Sequence, residues 1–145
     1  MLEPPTAEEL ASCMKNQSPG SPNLGILSFE KCFHGRHMAS LATSRSKAVQ
    51  KVDVPTLDWP AAKVPVYKYP LADNAEYNRA QDEASLADVA AKIDQWTNEK
   101  GIEICAIVME PIQSEGGDNY LSNEFARAIR KLTLERGMYM IVDEV

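Results

Sequence analysis

The stretch Ile104-Cys105-Ala106-Ile107-Val108-Met109-Glu110-Pro111, followed by a helical pattern and then by Tyr139-Met140-Ile141-Val142-Asp143-Glu144, decides the fold. An unbroken apolar run of this length reads as a strand buried on both faces. Pro111 ends it, because proline has no N–H to give to a central ladder. Between the two runs, Ser122 stands as the N-cap of a helix with Phe125, Ile129 and Leu132 inward and Arg127, Arg130 and Lys131 outward. Gly137 closes that helix, and Tyr139 to Val142 is expected to be a second buried strand. Strand, loop, helix, strand is a βαβ unit. Two such strands imply an α/β fold, a mostly parallel sheet with helices on both faces.

Upstream, Ser85 is expected to cap a helix reaching about Lys100, with Leu86, Val89, Ala90, Ile93 and Trp96 on one face and Gly101 as its stop. Prolines at 55, 60, 65 and 70 forbid regular helix over Val54 to Pro70 and confine any strand there to an edge. So long an irregular stretch either covers a site or wraps the surface. Gly25 to Phe29 reads as a short strand, Cys32 to Arg36 as the loop at its carboxyl end, and Met38 to Thr43 as the start of a helix. At the N-terminal side, Thr6 and Glu9 have the spacing of a capping box for a helix over Thr6 to Lys15. The polar, Gly/Pro-rich run Asn16 to Asn23 ends that helix.

The 145 residues correspond to about one domain. A net charge of −6 argues against a nucleic-acid or anionic-membrane surface, and no apolar run approaches the roughly 20 residues of a membrane span. The basic residues Arg36, Arg45, Lys47 and Lys51 are a local exception, enough for a small anionic ligand. Three widely spaced cysteines, Cys13, Cys32 and Cys105, form no Cys-x-x-Cys pair and give no metal signature. Met1 to Pro5 has the features of neither a signal peptide nor a transit peptide.

In parallel sheets ligands sit beyond the carboxyl ends of the strands. Three polar clusters fall there: Phe33-His34-Gly35-Arg36, Glu110 to Gly117, and Asp143-Glu144. The first offers an aromatic face, an imidazole, a pivot and a guanidinium fork able to clamp a carboxylate. The second joins two carboxylates, Glu110 and Glu115, by a loop ending in a glycine pair. In the third, a carboxylate at a strand end can hold a cation or a protonated ring nitrogen, or can simply be solvated. A magnesium-holding strand of a P-loop NTPase would also end this way. The chain has no Gly-x-x-x-x-Gly-Lys-Ser/Thr loop to go with it.

Together and in this order, Phe33-His34-Gly35-Arg36, Glu110-Pro111-Ile112-Gln113-Ser114-Glu115-Gly116-Gly117-Asp118 and Ile141-Val142-Asp143-Glu144-Val145 resemble the class III (ω-) aminotransferases, fold type I pyridoxal-phosphate enzymes. Leu41-Ala42-Thr43, Lys51 to Pro55, Asp58-Trp59-Pro60 and Lys68-Tyr69-Pro70-Leu71 point to the branch that acts on 4-aminobutyrate. The resemblance runs from about Thr6 to Val145 and is weakest between Ala72 and Gly101. It implies pyridoxal 5′-phosphate as cofactor, with Phe33 stacked on one face of its ring and Val145 on the other. Asp143 would pair with the pyridine nitrogen, and Glu110, His34 and Gly35 would lie close to the cofactor. Arg36 would take the carboxylate of 4-aminobutyrate. Glu115 would be the gate that pairs with a later arginine and frees it when the oxo acid binds. His37 departs from the threonine often found after the motif arginine.

The resemblance further implies transfer of the amine from 4-aminobutyrate to 2-oxoglutarate, giving succinate semialdehyde and glutamate, by a homodimer of the mitochondrial matrix. A different class III ω-aminotransferase, such as one for ornithine, and a truncated non-catalytic product that binds a partner subunit are the competing readings. No lysine here sits in the motif that holds the cofactor covalently, and the phosphate-binding loop would precede the segment. The 145-residue chain, as part of a large domain, is therefore expected to be inactive alone and marginal in stability.

Overall fold

Residues 3–145 are described by a computed structural model; Met1 and Leu2, on which part of the N-terminal reading rests, lie outside the described residues. In chain order the elements are α1 (Ala7–Cys13), β1 (Leu24–Phe29), α2 (Met38–Thr43), β2 (Ala61–Ala62), α3 (Ala75–Lys100), β3 (Glu103–Met109), β4 (Ile112–Gln113), β5 (Asn119–Tyr120), α4 (Asn123–Glu135) and β6 (Tyr139–Val142). Short 3-10 turns lie at Ala48–Gln50 and Ala72–Asn74. The main sheet has the order β2-β1-β3-β6, and every pairing in it is parallel. β4 and β5 form a separate antiparallel hairpin.

Register fixes which side chains share a face. Leu27 lies beside Ile107 and Ile107 beside Met140. On that face Leu27, Phe29, Ile107 and Met109 form one core with Val89, Ile93 and Trp96 of α3 and Phe125 and Ile129 of α4. Phe29 and Phe125 meet edge to face at 5.7 Å; a fully buried aromatic of this size contributes about 1.5–3 kcal/mol. On the opposite face α2 covers the sheet in part, leaving a cavity between Ala39, Ser40 and Thr43 and the strand residues Ile26, Val108 and Ile141. Helices therefore lie on both faces, as the apolar strands imply.

Two expectations are corrected. Ser85 does not cap α3, which begins ten residues earlier, at Ala75. It is buried in mid-helix and donates to the Lys63 carbonyl at 2.6 Å. The segment Ala75 to Ala84 is rich in helix formers with no Gly or Pro to stop it, but its inward groups are polar, so the apolar period begins only at Leu86. Asn78, for instance, donates to the carbonyl and accepts from the N–H of Lys68. The second correction is β6. It pairs on one side only and is largely exposed, Tyr139 at 76% and Ile141 and Val142 at 44%, because nothing among the described residues covers its outer edge.

The proline-rich stretch wraps α3. Trp96 Nε1 donates to the Asp58 carbonyl (2.8 Å), and Lys63 N donates to Asp88 (2.8 Å). Its one strand, β2, sits at the sheet edge where proline-rich sequence is confined. Two glycines in left-handed backbone, Gly101 (φ +64°) and Gly137 (φ +67°), end α3 and α4.

The other two predicted caps, at Thr6 and Ser122, form. Thr6 and Glu9 bond reciprocally, and the Ser122 hydroxyl accepts from Phe125 N (2.9 Å) while donating to Asp82 on α3 (2.9 Å). Tyr67 joins the same cluster, donating to Asp82 and accepting from Ser122 N. Ser122→Ala is expected to lower stability by about 1 kcal/mol, the usual worth of such a cap. Thermal unfolding of the purified protein measures it, and an unchanged Tm would remove the cap from the account.

Candidate active site

The carboxyl ends of β1, β3 and β6 converge because the three strands are parallel neighbours, and the loops that leave them are bolted together by side chains. The Asp143 backbone N–H extends the ladder beyond β6, donating to the Met109 carbonyl (2.9 Å). Its carboxylate Oδ2 lies 2.9 Å from Nδ1 of His34, whose side chain is only 5% exposed. With Asp143 ionised, Nδ1 carries the proton and donates. The second ring nitrogen, Nε2, is buried without a partner among the described residues.

Glu110 takes the other side of the same loop. Its Oε2 accepts from the Phe33 backbone N–H at 3.0 Å. Burial pushes the Glu110 carboxyl above its usual range; the Phe33 N–H and His34 act against this, and Asp143 adds to it. Ser44, fully buried at the end of α2, accepts from His34 N (2.9 Å) and donates to the Gly35 carbonyl (2.8 Å). Gly35 itself needs to be glycine, since φ is +115° and a Cβ would lie 2.9 Å from Ser40 Oγ.

The β4–β5 hairpin carries Glu115. Gln113, buried, donates to the Glu30 carbonyl (2.9 Å), and Asn119 bonds Gln113 Oε1 and the Gly116 carbonyl. Gly116 lies so close to the preceding loop that a Cβ there would stand 2.3 Å from the Lys31 carbonyl oxygen. Gly116→Ala is thus expected to push the hairpin away from Lys31 at a cost of about 1–3 kcal/mol, the range for overpacking. An unfolding midpoint equal to the parent's would show that the loops slide apart freely.

All three clusters named from sequence come together, though not every residue acquires a contact. Asp143 borders two cavities, the one of about 380 Å³ beneath α2 and one of about 260 Å³ lined also by Pro111, Ile112, Glu144 and Val145. Phe33 is half-buried, Arg36 is exposed with no hydrogen bond or ion pair among the described residues, and Val145 is exposed. Glu115 is ion-paired with Lys47 at 2.5 Å. Lys47 and Ser44 were not singled out for these roles from the sequence. A lone serine and one of several lysines carry no local signal, and only the fold brings them to these loops.

The strand ends of the parallel sheet bring His34, Glu110 and Asp143 to one loop, Asp143 bonded to the His34 ring and Glu110 to the Phe33 N–H, at the edge where α/β folds bind ligands. The chain belongs to the class III aminotransferases: the family profile Aminotransferase class-III matches residues 6–145. It is 52% identical over 143 residues to the 4-aminobutyrate aminotransferase of Dictyostelium discoideum, covering 99% of this chain and 28% of that protein. It is 50% identical over 141 residues to the probable mitochondrial 4-aminobutyrate aminotransferase of Caenorhabditis elegans, covering 97% of this chain and 29% of that protein. Among solved structures, a lysine aminotransferase from M. tuberculosis superposes with a TM-score of 0.73 at 29% identity, covering 95% of this chain and 30% of that one. The chain thus spans less than a third of the length of the relatives it matches.

Proposed function

We propose that this chain forms part of the large domain of a pyridoxal-phosphate-dependent aminotransferase that moves the amine of 4-aminobutyrate to 2-oxoglutarate, giving succinate semialdehyde and glutamate. The observation that carries the reading is the His34–Asp143 pair at the carboxyl end of β6. A carboxylate locked by a nearly buried imidazole, beside open space, fits a protonated ring nitrogen better than it fits a hydrated cation, which would need further oxygens. The names of the relatives support the substrate.

When bound, pyridoxal phosphate supplies an electron sink for the carbon that loses its proton. Asp143 would hold the proton on the ring nitrogen by charge, and His34 fixes the orientation of that carboxylate. Phe33 offers its ring for stacking, and Glu110 holds the loop in place through the Phe33 N–H. Arg36, exposed on the same loop and without an ion pair among the described residues, takes the distant carboxylate of 4-aminobutyrate on its two-pronged guanidinium. Val145, exposed beside Asp143, would offer an apolar contact to the bound ring.

The complete enzyme works as a homodimer, and the mitochondrial names of the worm and rat relatives support a matrix location. Assay of the complete enzyme with 2-oxoglutarate and either 4-aminobutyrate or ornithine tests the reading. A kcat/KM for 4-aminobutyrate at least about tenfold higher is expected; the reverse order would move the enzyme to another ω-amino acid.

A further inference from the structure

Ser44 is fully buried where α2 ends, and its hydroxyl sits astride the dipeptide His34-Gly35. It accepts from the His34 N–H (2.9 Å) and donates to the Gly35 carbonyl (2.8 Å), with the Ser40 carbonyl at 3.0 Å as a second acceptor. One small side chain thus holds both ends of the dipeptide that carries the imidazole. The segment around Ser44 is fixed from its own side. Arg45 N donates to the Cys32 carbonyl (2.7 Å), and the Cys32 thiol donates to the Thr43 carbonyl (2.9 Å). The Lys51 ammonium caps the carbonyls of Leu41 and Ser44. The dipeptide has less to hold it. Gly35 takes φ +115°, and a glycine there leaves the chain free to swing. Apart from its bond to Ser44, the hydrogen bond that His34 makes among the described residues is the ring contact with Asp143.

That ring contact aims the Asp143 carboxylate. The Asp143 side chain is 22% exposed, so water competes for its oxygens, whereas the His34 side chain is 5% exposed. Both line the cavity of about 380 Å³ beneath α2. A carboxylate that water can reach turns away once its buried partner shifts. Its aim therefore depends on the His34 backbone, and that backbone depends on the Ser44 hydroxyl. We propose that Ser44 is a positioning residue for cofactor recognition, which through His34 keeps Asp143 directed at the protonated ring nitrogen. The inference rests on the role proposed above for Asp143. The net worth of one neutral hydrogen bond corresponds to about a three- to tenfold effect, which sets the size to expect.

The test compares pyridoxal phosphate with its deaza analogue, in which carbon replaces the ring nitrogen, as ligands of the complete enzyme. The two share every other group, so the ratio of their dissociation constants isolates the ring nitrogen. The parent should prefer pyridoxal phosphate. Ser44→Ala is expected to weaken pyridoxal phosphate about three- to tenfold and to leave the analogue within error. Ser44→Thr, which keeps the hydroxyl, should restore the parent ratio. Asp143→Asn should remove most of the preference, and Ser44→Ala should then add nothing to it. Equal weakening of both ligands by Ser44→Ala would overturn the proposal, since Ser44 would then only support the loop. If Asp143→Asn leaves the ratio unchanged, the reading of Asp143 falls and the role of Ser44 with it. If Asp143→Asn changes the ratio while Ser44→Ala does not, only the role of Ser44 falls. Where Ser44→Ala does not fold, Ser44→Cys carries the test, because a thiol is close in shape and a weaker hydrogen-bond group. It should show part of the same loss, and a ratio equal to the parent's would overturn the proposal.

Discussion

Asp143→Asn in the complete enzyme is expected to lower kcat/KM by on the order of 10²–10³, the range for removing one preorganised electrostatic partner from an active site. The substitution is nearly isosteric. An amide oxygen can still accept from His34 Nδ1, now 2.9 Å from the carboxylate, and the Asp143 N–H still bonds the Met109 carbonyl. What disappears is the negative charge that, in the proposed role of Asp143, would keep a bound ring nitrogen protonated. Stability is expected to stay within about 0.5 kcal/mol of the parent, as for substitutions outside the core. Steady-state kinetics and thermal unfolding of the same variant decide it. Activity within threefold of the parent would mean that Asp143 is not the ring-nitrogen partner, whatever its bond to His34.

The same pair shows how far the sequence could be read. Asp143 is visible as a carboxylate after an apolar run, and His34 as part of a dense polar loop. Their contact spans 109 positions and follows only from β1, β3 and β6 lying side by side in parallel. Glu110 is a similar case. Its place before Pro111 marks a strand end, yet its partner turns out to be a backbone N–H on the loop after β1. Parallel topology was legible because Ile104 to Met109 is apolar without alternation, so both its faces had to be covered. Covering β3 on both faces says nothing about its second neighbour. Tyr139 to Val142 has the same composition, but it sits at the edge with Tyr139 exposed.

The missed half of α3 has a different cause. Apolar period locates a helix only where the helix buries carbon. Between Ala75 and Ala84 the helix faces the proline-rich strap and the α4 cap, and there it buries hydrogen-bonding groups: Asn78 on Lys68, Asp82 on Tyr67 and Ser122. Burial with desolvation raises the Tyr67 hydroxyl to about 12, the mark of a phenol kept neutral inside that cluster. Polar contacts of this kind have no fixed spacing, so no pattern search along the chain would find them.

Arg36 poses the opposite problem, a residue conspicuous in sequence and idle in the structure. It is exposed and makes no ion pair among the described residues. Replacing it should therefore leave folding alone, within about 0.5 kcal/mol. Its effect should fall on substrates that carry a distant carboxylate. Arg36→Met is expected to lower kcat/KM for 4-aminobutyrate by about two orders of magnitude, the scale for truncating one partner of a desolvated charge pair. Arg36→Lys should recover only part of this loss, because an ammonium cannot offer the parallel pair of N–H donors that a carboxylate accepts from guanidinium. The decisive control is an amine of similar length without the carboxylate. It should be a poor substrate for the parent and no worse for Arg36→Met. If the variant loses the same factor on both amines, Arg36 acts on the loop or the cofactor, and the carboxylate must be bound elsewhere.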